Sequence, residues 1–401
     1  MVPRPSSGLI NGRRALRGGP LCGIRVVEVG GLGAVPYGCM MLADMGADVV
    51  RIERQGGNAE IPAHSPLFRN RRSLALDLKK PQAVDIALAL IERADVLVEG
   101  FRPGVAERLG IGPEICLQRN PRLVYGRMTG WGQTGPLSQR AGHDLNYIGL
   151  TGLLHQIGPT GGNPVVPLNV IGDFGGGGLL MAFGVVCALF EAQRSGQGQV
   201  VDAAMIDGAL SFMAMFFGDR AAGKFPDRTG AHLLGGAAHY YNIYETADGK
   251  HLSVAPIEPQ FYRAFVAKLG LDLHRFLPAG YPNEDCATVA HDWPALKAEL
   301  KAIFKTRTRD AWIALFEDSD VCVTPVLTLA EAMEHPHNRA RESFIEIQGV
   351  RQQAPAPRFN RTVPSKPSGP PDFGADTDAI AQEWGLEPAL IERARAAGAT
   401  D

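Results

Sequence analysis

The hydrophobic pattern of the first half of the chain switches repeatedly between short apolar runs and helical spacing. Ile24–Val29 is a continuous β-type run. The loop Gly30-Gly31-Leu32-Gly33 follows, then an apolar helical stretch over Pro36–Met45 and a second run over Asp48–Ile52. Apolar runs of this length bounded by glycine suit strands covered on both faces, and the order predicts a βαβ unit. The alternation continues with a strand at Ser73–Leu78, a helix at Gln82–Arg93, and strands at Asp95–Val98 and Leu123–Met128. Helices are expected to start near His143 and Asp173, followed by a strand at Gln199–Met205. The expected core is α/β, a mostly parallel sheet wrapped by helices in a Rossmann-like large domain.

The pattern changes after about residue 230. Tyr240–Thr246 and His251–Ala255 flank Asp248-Gly249, a hairpin signal. Helical spacing follows at Pro259–Leu269, Trp293–Phe304 and Asp310–Glu317, with an extended run at Val321–Val326. The expected organisation is an extension at 1–20, a large domain at 21–230 and a small α+β domain at 231–325. A return segment at 326–401 would then bring a C-terminal helix onto the large domain. Linkers are expected near 215–235 and 325–345. Residues 354–372 are Pro-rich and read as a surface crossing. Thr377–Ala396 carries helical spacing with Ile380, Trp384, Leu390 and Ile391 as a docking stripe. The longest apolar run, Leu179–Phe190, is short for a bilayer and ends in Glu191, so it reads as a core helix.

Composition narrows the class. The chain has 401 residues, 45% apolar and 20% charged, with a formal net charge of −2. That balance suits a globular enzyme and gives no basic surface for nucleic acid. The six cysteines (Cys22, Cys39, Cys116, Cys187, Cys286 and Cys322) are scattered without a CxxC pair. They read as buried free thiols in a reducing compartment, with no metal site. The Arg-rich start lacks an apolar h-region and the final residues carry no targeting tripeptide, so a cytoplasmic protein without a membrane partner is expected.

The candidate chemistry lies in Ala141-Gly142-His143-Asp144-Leu145-Asn146-Tyr147 and Gly172-Asp173-Phe174-Gly175-Gly176-Gly177-Gly178. Each segment places a titratable side chain after a glycine where a helix is expected to open. An imidazole and a carboxylate on opposite faces of a carbon acid would exchange its proton, with backbone N–H groups at the helix starts holding the enolate oxygen. Helix-capping roles are the plainer reading of His143 and Asp173. Gly31-Leu32-Gly33 with Glu53 after the next strand partly matches a dinucleotide fingerprint, but Pro36 occupies the third glycine position. The arginines suggest a phosphorylated ligand instead. Arg54 follows the second strand, Arg69, Arg71 and Arg72 cluster, and Arg102 and Arg108 flank Gly104. Asp144 and Asp202 read as structural. His155 is expected about three turns along the His143 helix, and His335 and His337 read as a solvated turn.

The segments Gly46–Glu53, Arg69–Arg72, Ala94–Val105, Arg127–Gln133, Gly198–Ala203 and Ile257–Tyr262, together with the His143 and Asp173 segments, resemble the class III CoA-transferase superfamily over about residues 20–365. Within it the pattern is similar to the racemases of 2-methylacyl-CoA thioesters. The resemblance implies an interlocked homodimer with shared active sites, an acyl-CoA substrate and no metal or redox cofactor. It implies that His143 and Asp173 are the acid/base pair, with Glu258 as the carboxylate orienting the imidazole. It also implies a CoA path along Arg54, Leu76, Asp77, Leu78, Lys79, Gly100, Phe101, Arg102, Arg108, Gly142, Asp144, Leu145, Asn146 and Tyr147. The alternative is a class III CoA-transferase in which Asp173 forms an acyl anhydride; a non-catalytic acyl-CoA-binding paralogue is a third reading. Leu234–His239 departs from the racemase pattern, with His239 as an addition.

Overall fold

The computed structural model describes residues 18–56, 64–280 and 292–401. Cys286 and all but the end of the expected 1–20 extension lie outside them. The described chain forms two compact units. One comprises residues up to 151, 168–212 and 342–401; the other comprises 152–167 and 213–341.

The first unit is built on six parallel strands: β1 (Arg25–Val29), β2 (Asp48–Glu53), β3 (Arg71–Ala75), β4 (Val96–Glu99), β5 (Val124–Thr129) and β6 (Gln199–Ala204), in the order β3-β2-β1-β4-β5-β6. This is the doubly wound order, and it reverses between β1 and β4, where ligands of such sheets bind beyond the strands' C-terminal ends. The period-two geometry of a strand divides its residues between two cores. Val27, Val29, Val50, Ile52, Leu97 and Tyr125 join the helix Pro81–Ile91 and the C-terminal helices. Val26, Val49, Val96, Val98, Val124 and Met128 face the helices Ala34–Asp44 and Leu180–Ser195. The parallel core expected from the pattern is present, with β3 two to three residues earlier than expected.

Two local readings change, and one hairpin was not expected. The tail is two helices, Thr377–Trp384 and Pro388–Ala396, because Gly385 ends the first in a left-handed conformation (φ 70°) and Pro388 opens the second. A hairpin pairs Phe344–Ile347 with Val350–Gln353, closed by Gln348 and Gly349 at φ 50° and 77°. The apolar run is part of a 26-residue helix, Val170–Ser195, long and apolar enough by length and composition to cross a membrane. It is a core helix on one face only: Met181, Ala182, Val185, Ala188, Leu189 and Ala192 are buried, while Phe183, Val186 and Phe190 are exposed. The cysteines divide similarly, with Cys39 and Cys116 buried and Cys22 and Cys187 exposed.

The second unit carries an antiparallel sheet of β7 (Asn242–Glu245), β8 (His251–Val254) and β9 (Val323–Val326), with the helices Pro259–Lys268, Trp293–Phe304 and Arg309–Phe316. Its core is aromatic, including Tyr240, Tyr244, Tyr262, Phe265, Phe276, Trp293, Phe304, Trp312 and Phe316. Residues 213–230 and 326–341, expected outside the small domain, belong to this unit, as do residues 152–167. The reason is side-chain fastening. Arg309, 5% exposed, donates to both carboxylate oxygens of Glu331 (3.0 and 2.9 Å) and to the Val326 carbonyl. The other segment is held by His232 on Asp219 and by Thr160 on the Gly230 carbonyl.

Candidate active site

The glycine loop after β1 and the Gly100–Gly104 loop after β4 meet at the reversal of the strand order. A Cβ on Gly100 would lie 2.8 Å from Val35 and 3.2 Å from the Gly31 Cα, so the two loops can approach this closely only as glycine backbone. Gly33, at φ 63°, opens the Ala34–Asp44 helix, and a Cβ there would lie 3.0 Å from Asp173 Oδ2. The loop that resembled a dinucleotide fingerprint therefore makes room for the carboxylate of Asp173. Glu53, the would-be ribose ligand, is engaged by Arg51 and the Ser73 hydroxyl.

Asp173 rides on a π-helical segment, Val170–Leu179, which continues into Leu180–Ser195. The glycine run in that segment serves close packing. A Cβ on Gly176 would lie 2.6 Å from the Ala209 nitrogen, and one on Gly178 would lie 2.4 Å from the Ala34 carbonyl oxygen. Phe174 stacks on Tyr37 with centroids 4.7 Å apart.

His143 is the exposed N-cap of the helix Asp144–Gly149, and its backbone N–H donates to Asn146 Oδ1 at 3.0 Å. Beside it Asp144 is buried, and its Oδ1 accepts from the N–H groups of Gly172 (2.6 Å) and Asp173 (2.7 Å). One carboxylate thus ties the His143 helix to the Asp173 segment, and the imidazole and carboxylate come within electrostatic reach of each other. The expected enolate donors change accordingly. The N–H groups of Gly172 and Asp173 are spent on Asp144, and that of His143 on Asn146. The Asp144 N–H has no acceptor among the described residues.

Asp173 is half-buried, and its carboxyl is held above the ordinary carboxylate range. Burial is the largest cause. The Asn169 amide, donating to Oδ2 at 3.1 Å, opposes it; Asp144 adds to it and His143 opposes it. Asn169, four residues before Asp173, was not singled out in the sequence; its position one helical turn upstream was the available signal. Tyr147 is 7% exposed, its hydroxyl donates to the Gly142 carbonyl, and its ring meets Trp131 edge-on at 4.8 Å. Burial, then the nearby Asp173, raises its pKa, so it stays a phenol.

The remaining expected site residues divide by position. Arg54, Lys79, Arg102 and Arg108 are exposed in or just after the loops beyond β2, β3 and β4. Gly100 and Phe101 lie at the reversal, Phe101 N–H donating to Glu99 at 2.7 Å. Leu145 and Asn146 are exposed on the His143 helix. Leu76 is 1% exposed and packs in the core, so only its backbone can face a ligand. Asp77 and Leu78 are half-buried, and the Asp77 N–H is held by the Ala399 carbonyl. Arg69, Arg71 and Arg72 do not form a phosphate site. All three are buried and paired, Arg69 with Asp44, Arg71 with Glu28, and Arg72 with Asp48 and Glu383. The cluster is a structural ion network.

His155 is not on the His143 helix, which ends at Gly149; it sits in the short helix Leu153–Gln156. Glu258 is exposed at the N-cap of Pro259–Lys268 in the second unit. His239 is wholly buried in that unit's aromatic core, with Nε2 2.6 Å from the Tyr262 hydroxyl. Burial and the nearby Lys297 push its pKa down to about 3, so it stays neutral.

An imidazole and a carboxyl brought together beside the glycine loops of a doubly wound sheet agree with the family match. The chain belongs to CoA-transferase family III, matched over residues 21–377. It is 44% identical over 369 residues to a mouse protein called alpha-methylacyl-CoA racemase, covering 91% of this chain and 93% of that one. It is 42% identical over 370 residues to the human protein of the same name, covering 91% and 94%. A solved CAIB/BAIF family structure from Brucella suis superposes with a TM-score of 0.77 at 27% identity, covering 92% of this chain and all of that one.

Proposed function

We propose that this chain is a racemase that interconverts (R)- and (S)-2-methylacyl-CoA thioesters through an enolate. The observation that carries the reading is the pair itself: an exposed imidazole and a half-buried carboxyl with a raised pKa, fastened to one another through Asp144. The α-proton of a thioester is weakly acidic, so its removal needs a positioned base and a donor for the enolate oxygen. Neutral His143 takes the proton from one face while protonated Asp173 returns one to the other; the roles exchange in the reverse direction. The Asp144 N–H is the enolate donor. In the dimer the partner's Glu258 orients the imidazole, and Arg54, Lys79, Arg102 and Arg108 bind the phosphates of CoA as part of the substrate. No metal or redox cofactor enters this scheme.

The working form is a homodimer in the cytoplasm. Support for the dimer comes from the helix that carries Asp173, where Leu179, Phe183, Val186 and Phe190 form one exposed apolar line at helical spacing. In an interlocked pair that line is covered and each active site draws on both copies.

The test is proton NMR of one pure enantiomer of a 2-methylacyl-CoA with the enzyme in D2O. Deuterium at C2 with loss of chirality is expected. No exchange, together with hydroxylamine trapping of an acyl-Asp173 species, would overturn the reading in favour of CoA transfer.

A further inference from the structure

The scheme above uses the backbone of Asp144 and leaves its side chain without a chemical task. Yet that carboxylate is 4% exposed. Oδ1 holds two backbone N–H groups, while Oδ2 is buried with no hydrogen-bond partner among the described residues. A buried carboxylate oxygen without a donor costs stability. The two N–H bonds need only one acceptor oxygen, which an amide would supply without the charge. The charge therefore calls for its own explanation.

We propose that Asp144 is a positioning residue for Asp173: its carboxylate fixes the first turn of the π-segment and supplies the negative charge that keeps the acidic proton on Asp173. The proposal rests on the racemase reading, in which Asp173 must be protonated to return a proton to the substrate.

The groups around Asp173 leave this task to Asp144. From the same helix come His143, whose positive form favours ionised Asp173, and the phenol Tyr147, which in turn feels Arg102. The Ala34–Asp44 helix brings no charged side chain before Asp44, which Arg69 consumes. The helix Met205–Ser211 brings Asp207, exposed to solvent. From β5, Arg127 is paired with Glu99 and Glu107; from β6, Asp202 accepts from the Gln133 N–H. Asp144 alone among these is an anion buried against the Asp173 segment. Its effect on Asp173 has the required sign, reinforcing burial.

The test compares wild type with Asp144→Asn, which keeps the shape and one acceptor oxygen but loses the charge. Aspartate labelled with 13C at Cγ reports the titration of Asp173, its resonance assigned by its loss in Asp173→Asn. Removing a nearby anion makes Asp173 a stronger acid, so its midpoint in Asp144→Asn is expected to fall by roughly half a pH unit or more. The acid limb of kcat/KM should move the same way. Should Asp144→Asn not fold, Asp144→Ser removes the same charge and is read identically. An unchanged midpoint in a folded variant, or failure of both variants to fold, would overturn the proposal and leave Asp144 a structural brace. Deuterium exchange at C2 is measured separately on wild type. A shifted midpoint without exchange would sustain the role of Asp144 and remove the racemase reading.

Discussion

Tyr147 donates its hydroxyl to the carbonyl oxygen of Gly142, the residue immediately before His143. The phenol thereby closes the turn that presents the imidazole, and its ring fills the space beside Gly130, where a Cβ would lie 2.1 Å from it. Tyr147→Phe keeps the ring and deletes one hydrogen bond worth about 1 kcal/mol. A fall in kcat/KM on the order of fivefold is expected, carried by kcat, with KM for acyl-CoA little changed. Steady-state kinetics on both enantiomers check this.

His143→Ala and Asp173→Ala should each lose most activity, a loss of about a hundredfold or more, and remain folded by circular dichroism. Wild-type turnover in either pure variant would remove that residue from the acid/base pair.

Asp173 also makes a prediction about stability. Its folded pKa lies above its ordinary value, so the stability it contributes is fully present below the unfolded pKa of about 4 and is lost as pH rises through the folded pKa. Above the unfolded pKa the site is a net cost, because folding there holds back the ionisation of the carboxyl. Asp173→Asn should therefore melt higher than wild type at pH 7 while being catalytically poor, and the difference should close as the pH approaches 4. Thermal melts at both pH values decide it.

Two arginines separate binding from folding. Arg69 is 1% exposed, donates to both oxygens of Asp44, and reaches Gln352 Oε1 and the Gln353 carbonyl at 2.9 and 2.7 Å. Arg69→Ala leaves Asp44 buried without its cation, an expected loss of about 3–5 kcal/mol in denaturant unfolding. Arg102 is exposed at the crevice. Arg102→Ala should melt like wild type and raise KM for acyl-CoA on the order of tenfold.

The exposed line on the Val170–Ser195 helix carries the dimer prediction. Replacing Phe183 and Phe190, 64% and 63% exposed, by Asp should yield monomer in sedimentation velocity at micromolar concentration. A dimer persisting in the double variant would place the interface elsewhere.

Much of this was legible in the sequence. The β1 and β2 runs, the helix between them and the β7–β8 hairpin follow from local periodicity and turn chemistry, which act over a few residues. The positions of His143, Asp173 and the exposed arginines were legible for the same reason, as side chains in first helical turns and in the loops after strands. The fates of Arg69, Arg71 and Arg72 were not legible, because their partners Asp44, Glu28, Asp48 and Glu383 are distant in sequence. The bridging role of Asp144 depends on the meeting of two segments and has no local signal. The Gln348-Gly349 turn between alternating residues was a readable hairpin signal. Residues 326–341 looked like a linker because nothing local shows that Arg309 grips Glu331.

The C-terminal residues reach back to the end of β3 and the loop that follows it. Ala399 holds the Asp77 N–H, the Thr400 hydroxyl donates to the Ala75 carbonyl at 2.8 Å, and Lys80 reaches the carbonyls of Ala397 and Gly398. The helices before them complete the cover of the sheet face that carries Val27, Val29, Val50 and Ile52, beside the helix Pro81–Ile91. During synthesis those strands leave the ribosome long before the C-terminal helices. The nascent sheet keeps part of its apolar face uncovered until residues 377–400 emerge, and the loop beyond β3 takes its shape only then. A nonsense or frameshift lesion near Gly374 thus leaves every strand of the parallel sheet intact while producing an aggregation-prone chain.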